Sequence, residues 1–196
     1  MARSRRRKPT TGEHLSRTVA MPADRPMRVV VVADTHSRPH PDSLDQIAAE
    51  QPDLILHGGD IGSLDVIDSL GAIAPTVAIR GNIDEGVPGL ADTVDLTFER
   101  AERPELRLLL RHIAVAGPRL RADAARQAVE HGAAMVVCGH SHVPFIGRDR
   151  DLLVFNPGSI GPRRFRLPIT FGTMTVSPER LDLRHISCET GRTWLP

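Results

Sequence analysis

The chain has 196 residues, of which 40% are hydrophobic and 25% are charged, a composition typical of one globular domain. It has no run of about 18 apolar residues that could span a membrane, and its two cysteines cannot form a disulfide framework, so we expect a cytoplasmic protein. The net charge of +1 is the sum of a basic and an acidic part. Residues 1–28 carry eight basic and two acidic side chains, for a charge of +6, and the remaining residues carry 17 basic and 22 acidic ones, for a charge of −5.

The N-terminal segment differs in character from the rest of the chain. Residues 1–26 have no apolar period and mix Arg, Thr, Ser and Pro, which predicts a disordered basic arm before a single domain over residues 27–196. Three interpretations of the arm stay open: a passive tail or a start assigned too early, a contact with nucleic acid or a membrane surface, and an organellar transit peptide.

The first half of the domain alternates strands with helices. Apolar runs that end in polar residues predict buried strands, and apolar residues at helical spacing predict the helices between them. The predicted strands are 28–33, 53–57 and 76–79, and the predicted helices are 42–50 and 64–73. This alternation is typical of an α/β fold in which the carboxyl ends of the strands share one edge of the sheet.

The second half contains one helix and many short strands. We predict strands at 94–100, 106–111, 134–138, 145–148, 152–155, 169–176 and 181–186, and a helix at 121–131. Because these strands are expected to be mostly antiparallel, the whole chain favours two sheets packed face to face with helices outside.

Polar side chains follow five of the apolar runs, where an α/β sheet presents its ligand crevice. The five groups are Asp34-Thr35-His36, Gly58-Gly59-Asp60, Gly81-Asn82, His112 and Gly139-His140-Ser141-His142. In extended chain, residues i and i+2 project to the same side, so each Asp-x-His or His-x-His pair is expected to aim two side chains at one point.

The residue types in these groups are metal ligands. Two Asp, four His and one Asn exceed the four ligands of a single ion and suit two divalent ions. Imidazole, carboxylate and amide together favour Mn²⁺, Fe, Zn²⁺, Co²⁺ or Ni²⁺ over Ca²⁺. Two such ions support the hydrolysis of phosphate esters.

In this order, the five groups resemble the motifs of the calcineurin-like metallophosphoesterases. The Asn156-Pro157-Gly158-Ser159 turn resembles the small bacterial and archaeal phosphodiesterase branch of that superfamily. The resemblance covers residues 28–176 and implies an αββα sandwich of two mixed β-sheets. It also implies a two-metal phosphodiesterase that uses a metal-bridging hydroxide to attack phosphorus in a small phosphate ester.

The resemblance further implies a role for each candidate ligand. The first ion would be held by Asp34, His36 and His142, the second by Asn82, His112 and His140, and Asp60 would bridge the two. Mn²⁺ is the expected metal, with Fe, Zn²⁺, Ni²⁺ and Co²⁺ as alternatives. The amide of Asn82 can also donate to a phosphate oxygen, which makes it a candidate catalytic and substrate-binding residue.

Two positions depart from the family pattern. Ile83 follows Asn82 where many members carry a histidine that acts as general acid, so Asp84 is a candidate to replace the acid, position a water or contact metal. Ile113 follows His112 where glycine is usual, and its β-branched side chain restricts the backbone, so we expect a distorted or weaker second site.

Several other polar residues have two interpretations. Arg80 is a candidate to bind a phosphate oxygen or, equally, to form an ion pair at a strand end. Arg163 and Arg164 follow the turn at 156–159 and could meet an anionic substrate. We expect His57 to be a packed histidine with a satisfied hydrogen bond.

Two other functions are consistent with the sequence. One is a protein-binding scaffold on the same fold, as in the small retromer subunit of eukaryotes, which resembles this branch. The other is a metal-dependent nuclease whose basic residues within 3–8 contact nucleic acid. No membrane partner is expected, and the oligomeric state is open.

Overall fold

A computed structural model describes residues 12–196 of the chain. Its strands are β1 (His14–Ala20), β2 (Met27–Val32), β3 (Leu54–His57), β4 (Thr76–Ala78), β5 (Thr93–Arg100), β6 (Arg103–Arg111), β7 (Val115–Ala116), β8 (Arg119–Leu120), β9 (Met135–Val137), β10 (Phe145–Asp149), β11 (Leu152–Asn156), β12 (Thr170–Val176), β13 (Leu181–Ser187) and β14 (Thr193–Trp194). Its helices are α1 (Ser43–Ala49), α2 (Asp65–Gly71) and α3 (Ala122–Glu130). Within the described residues no helix is long and apolar enough to cross a bilayer.

The strands form two mixed six-stranded sheets and one short two-stranded ladder. The first sheet has the order β1-β5-β6-β9-β11-β10, and the second has the order β14-β13-β12-β2-β3-β4. In the second sheet β2, β3 and β4 are parallel, and the β12–β13 hairpin adds antiparallel to β2. The C-terminal hairpin thus completes the sheet that the first half of the chain begins.

The packing confirms the expected αββα sandwich. One apolar core lies between the two sheets and includes Val31 and Leu56 from the second sheet and Phe98 and Leu110 from the first. A second core joins the outer face of the second sheet to α1 and α2, and a third joins the first sheet to α3. Side chains alternate between the two faces along a strand, and in β5 those that face the core between the sheets are buried, whereas the alternate ones are partly exposed.

The second half of the chain is less antiparallel than the sequence predicts. Strands β6, β9 and β11 are parallel neighbours, with α3 as the crossover between β6 and β9. Antiparallel pairing is found at β5–β6, β10–β11 and the β12–β13 hairpin. The parallel arrangement matters because it brings the carboxyl ends of β6 and β9 to one edge of the first sheet.

The predicted disorder of residues 1–26 is wrong for its described part. Strand β1 pairs in parallel with β5, and Leu15 and Val19 pack against the core between the sheets. Arg100 donates hydrogen bonds to the carbonyl oxygens of Pro22 and Arg25, which fixes the connection to β2. The strand was missed because an edge strand needs few apolar residues, and its pairing energy comes from a partner far along the chain. The basic residues within 3–8 lie outside the described residues.

A shortened chain tests the contribution of β1 to stability. We expect a chain that starts at Met27 to unfold at a midpoint about 5–10 °C lower, because the buried contacts of Leu15, Val19 and Met21 are lost and β5 becomes an open edge. A chain that starts at Gly12 is the control and should match the full chain. Thermal unfolding followed by circular dichroism measures both, and equal midpoints for the Met27 and full chains would contradict the assignment.

Candidate metal centre

Two groups of carboxylate and imidazole side chains meet where strands of both sheets end. Each group places one ligand atom from every member within 4.8 Å of the others. The first group is Asp34, His36 and His142, and the second is Asp60, His112 and His140. The segments that carry them follow β2, β3, β6 and β9, so the parallel strands of the two sheets supply the site jointly.

The first group is almost entirely buried. Asp34 has no exposed surface, and its carboxylate accepts hydrogen bonds from the backbone N–H of His140 at 2.9 and 3.2 Å. The Nε2 atoms of His36 and His142 are 3.4 Å apart, and Nε2 of His142 lies 3.4 Å from Asp34 Oδ1. Three potential ligand atoms therefore converge, and His36 is the most exposed of the three side chains.

Asp60 stands between the two groups. Its Oδ1 lies 3.3 Å from Nε2 of His112 in the second group, and its Oδ2 lies 3.7 Å from Nε2 of His36 in the first. The two oxygens of one carboxylate thus face opposite sides. This is the placement that a bridging ligand between two ions requires.

The backbone at these residues is left-handed. Asp34, His36, Asp60, His140 and His142 have φ values between 46° and 69°. Residues other than glycine rarely adopt this region, and such strain concentrates at functional sites. The chain is therefore not extended at either pair: Asp34 and His36 still meet in the first group, as predicted, whereas His140 and His142 lie in different groups, which the prediction had wrong.

Burial and neighbouring charges shift the pKa values within the site. Burial raises the pKa of Asp34 to about 7, although the charge of His112 opposes this shift. Burial also acts to raise the pKa of Asp60, but the hydrogen bond and charge of His112 outweigh it and leave the pKa well below its usual range. Burial, with Arg164 adding to it, lowers the pKa of His142 to about 4, which keeps its imidazole neutral and able to act as a ligand.

His112 is held in an orientation suited to a metal ligand. Its Nδ1 contacts the carbonyl oxygen of Gly58 at 2.7 Å, where the ring N–H can donate, so Nε2 is left facing Asp60. Histidine ligands in proteins are commonly oriented by such a second hydrogen bond. The rings of His112 and His140 lie 5.2 Å apart in the second group, and the weakening of that site by Ile113 stays a prediction.

Asp84 is bound by the backbone of the loops around the site, which counts against the role predicted for it as a general acid. The side chain is buried, and its two oxygens accept hydrogen bonds from the backbone N–H groups of Ile61, Gly62 and Gly81. These hydrogen bonds engage both carboxylate oxygens within the protein. Asp84 instead ties the loop after β3 to the loop after β4.

Arg80 is also engaged within the protein. Its guanidinium pairs with Asp92 at 3.0 Å and lies 3.5 Å from Glu13, and it donates to the backbone oxygens of Val87 and Leu90. The ion-pair interpretation of Arg80 therefore describes this structure, whereas phosphate binding by Arg80, which also lines the cavity beside Asn82, stays a prediction.

Asn82 opens onto a cavity of about 460 Å³ beside the second group. His112 and Ile113 line the same cavity near the site, and His14 and Arg111 line its far side. The volume is in the range that small-molecule ligands occupy. Asn82 and His112 of the second group thus line one space that is large enough for part of a substrate.

Arg164 lies at the opposite rim, beside the first group. Its guanidinium is 3.1 Å from Nε2 of His36, whereas the guanidinium of Arg163 pairs with Glu189. The sequence drew attention to both arginines but could not distinguish them, because the loop that carries them is ordered by contacts made elsewhere in the fold.

Three polar residues around the site support its loops. The amide of Asn156 donates to the carbonyl oxygen of Gly139 at 2.8 Å, and Ser159 donates to the backbone oxygen of Asp34 at 2.9 Å. His57 is fully buried between Thr35 and the N–H of Gly59, as predicted for a packed histidine, and burial lowers its pKa to about 4.

The residues present fit a pair of divalent ions. Nε2 of His112 faces the second group, is buried and makes no well-directed hydrogen bond to any of residues 12–196 beyond its approach to Asp60 Oδ1 at 3.3 Å. A buried nitrogen without such a bond is costly, and a cation would remove that cost. The donor set of imidazoles and carboxylates suits first-row transition metals.

Comparisons with known proteins agree with this geometry. A family model described as the calcineurin-like phosphoesterase superfamily domain matches residues 27–179. A probable metallophosphoesterase of Methanocaldococcus jannaschii is 30% identical over 178 residues, which cover 83% of this chain and 82% of the relative. A probable metallophosphoesterase of Methanothermobacter thermautotrophicus is 32% identical over 163 residues, covering 80% of this chain and 90% of that protein.

Solved structures show the same fold at low identity. Vacuolar protein sorting 29 from Cryptosporidium parvum superposes with a TM-score of 0.70 at 17% identity, covering 87% of this chain and 95% of that one. The phosphoesterase YfcE from E. coli superposes with a TM-score of 0.58 at 19% identity, covering 85% and 96%.

Gly81 provides a test of the site's geometry. A Cβ atom at this position would overlap the backbone nitrogen and Oδ1 of Asp60. We therefore expect Gly81→Ala to displace Asp60 and to lower metal affinity by about tenfold to a hundredfold, the range for residues that support ligands. Metal titration by isothermal calorimetry measures the effect.

The control for this change is Gly71→Ala. Gly71 lies at the end of α2, where an added Cβ meets nothing within 4 Å. It should bind metal as the unaltered protein does. Equal affinities for the Gly81→Ala and unaltered proteins would contradict the packing of Gly81 against Asp60.

Proposed function

The chain belongs to the calcineurin-like phosphoesterase superfamily, and we propose that it is a two-metal phosphodiesterase acting on a small activated phosphodiester. The family is one of metal-binding hydrolases that act on phosphate esters. The observation that carries the finer proposal is the carboxylate of Asp60, which presents one oxygen to each of two ligand groups.

The two groups would hold one ion each. We assign Asp34, His36 and His142 to the first ion, and we assign His112, His140 and Asn82 to the second. When bound, such ions lower the pKa of water and offset the negative charge that develops on a phosphoryl group. Mn²⁺ is the metal we propose, and the same donors accept Fe, Zn²⁺, Ni²⁺ or Co²⁺.

Two side chains at the rim would orient the substrate. Asn82 can donate its amide N–H to a phosphate oxygen on the cavity side, and Arg164 can donate to another from the His36 side. The alcohol portion of the ester would occupy the cavity of about 460 Å³. The low fractional exposure of Asp34, Asp60 and His142 limits the access of water to the reacting centre.

Neither residue 83 nor residue 84 is placed to donate a proton to the leaving group. Position 83 is an isoleucine with its side chain exposed, and the Asp84 carboxylate is engaged by backbone N–H groups. Proton donation matters least when the leaving group is a stable anion. This favours aryl or similarly activated diesters over alkyl monoesters.

The two free cysteines support a cytoplasmic location. Cys138 and Cys188 are both buried, and burial raises the pKa of each thiol to about 12, so both are unreactive. We propose the cytoplasm as the compartment on this basis.

A protein-binding scaffold is the second candidate function. The observation that favours it is Ile83, an exposed isoleucine at the rim of the site where a polar residue is common in the family. A scaffold would keep the fold without needing the metal centre for its work. Activity measurements on the metal-loaded protein distinguish the two.

Asp60→Asn tests the phosphodiesterase proposal. Removing the shared charge should lower the Mn²⁺-stimulated hydrolysis of bis(4-nitrophenyl) phosphate at least about a hundredfold, since even supporting residues at metal sites contribute 10–100-fold. Asp151→Asn, at an exposed turn, is the control and should retain full activity. Lack of hydrolysis by the unaltered protein across a panel of metals and of diesters and monoesters would refute the proposal and favour the scaffold.

Arg164→Gln tests substrate orientation. Losing one charge-assisted hydrogen bond to phosphate should raise KM about tenfold, which corresponds to about 1.4 kcal/mol. Arg163→Gln is the matched control, because the Arg163 guanidinium pairs with Glu189 and should leave KM unchanged. Steady-state kinetics on the diester measure both, and an equal KM for Arg164→Gln and the unaltered protein would exclude the contact.

A further inference from the structure

Three potential metal ligands meet on the outer face of the first sheet, outside the candidate metal centre. They are His14 on β1, Asp95 on β5 and His131 directly after α3. Nε2 of His14 lies 3.0 Å from Oδ2 of Asp95, and Nδ1 of His131 lies 2.6 Å from the same oxygen. One ligand atom from each residue lies within 4.8 Å of the others.

Hydrogen bonding accounts for this cluster only in part. Both carboxylate oxygens of Asp95 and Nε2 of His14 are buried without a well-directed hydrogen bond to any of residues 12–196. The same condition holds for Nε2 of His112 in the candidate metal centre. The ring nitrogens of His14 and His131 both approach one oxygen of Asp95, so the three side chains converge on one point, as the ligands of a shared ion would.

The charge of Asp95 also lacks a partner with a permanent positive charge. Within residues 12–196 its salt bridges are with His14 and His131 alone. Arg111, the arginine that lines the adjacent cavity, pairs instead with Asp123. Burial raises the pKa of Asp95 in spite of the two histidines. A cation would supply the charge that this carboxylate lacks.

A supporting hydrogen bond orients the His14 ring. Its Nδ1 lies 2.8 Å from Oγ1 of Thr93, and Gln127 donates to the same hydroxyl at 3.0 Å. This contact leaves Nε2 directed toward Asp95. Metal-binding histidines are commonly held by such a contact on the ring nitrogen that faces away from the ion.

We propose that His14, Asp95 and His131 form a third divalent-metal site, which binds Zn²⁺. Two imidazoles and one carboxylate match the three-ligand zinc sites of proteins, and the partly exposed rings leave a fourth position for water. This site lies beyond the proposed phosphodiesterase centre and does not depend on it.

The ion would join three elements that are distant in sequence. It would clamp β1, an edge strand, to β5 and to the end of α3. His14 also lines the cavity onto which Asn82 opens. The third site would therefore stabilise the N-terminal strand and fix the far wall of that cavity.

Zinc content tests the proposal directly. The full chain is stripped with a chelator, reloaded with excess Zn²⁺, desalted and analysed for zinc per chain. His131→Gln should hold one ion fewer than the unaltered protein, whereas His40→Gln, at a histidine outside all three groups, should hold the same number. Equal zinc content in His131→Gln and the unaltered protein would overturn the third site.

Asp60→Asn separates this test from that of the phosphodiesterase centre. The difference in zinc content between the unaltered and His131→Gln proteins measures binding at the third site. The difference in zinc content between the unaltered and Asp60→Asn proteins measures binding at the candidate metal centre. Zn²⁺ should also raise the melting midpoint of Asp60→Asn protein more than that of the Asp60→Asn, His131→Gln double variant. An equal rise in the two would count against a third site, even if one variant is less stable.

Discussion

The candidate metal centre depends on the position of one carboxylate, that of Asp60. Its two oxygens face histidines on opposite sides, one following β2 and the other following β6. These strands belong to different sheets, so the carboxylate can face both only if the sheets pack with their strand ends together. The αββα sandwich is the arrangement that meets this requirement.

The local backbone is adapted to the same constraint. Asp60 is left-handed, and Gly81 lies so close to it that no larger side chain fits. Asp84 then holds the two loops together through backbone hydrogen bonds on both of its oxygens. The strain of the left-handed residues is stabilised by this surrounding network, which is consistent with a site that must hold its ligands in place before a substrate arrives.

Much of this could be predicted from the sequence because the relevant signals are local. Apolar runs such as that of β2 identify buried strands, and the polar residues directly after them mark the edge where ligands bind. The family resemblance implies that His140 and His142 bind different ions, and the structure places them in different groups. The argument from extended chain missed this separation, because residue type does not reveal a left-handed turn. Asp84 could be singled out but not assigned, since its role depends on which backbone N–H groups face it.

What could not be predicted depends on distant pairing. Strand β1 is short in apolar residues and gains its order from β5, which lies more than 70 residues away. The cluster of His14, Asp95 and His131 follows from that pairing, so it too has no signal in the sequence. Arg80 and Arg164 illustrate the same limit, because only the fold decides which arginine meets an acidic partner and which meets the site.

The most direct test of the account is electron paramagnetic resonance of the protein loaded with Mn²⁺. A carboxylate shared between two ions should couple their spins. At two Mn²⁺ per chain we expect the spectrum of an exchange-coupled pair, and this spectrum should be lost in Asp60→Asn protein. A spectrum of isolated Mn²⁺ ions alone, unchanged by Asp60→Asn, would contradict the assignment of Asp60 as the bridge between two metal sites.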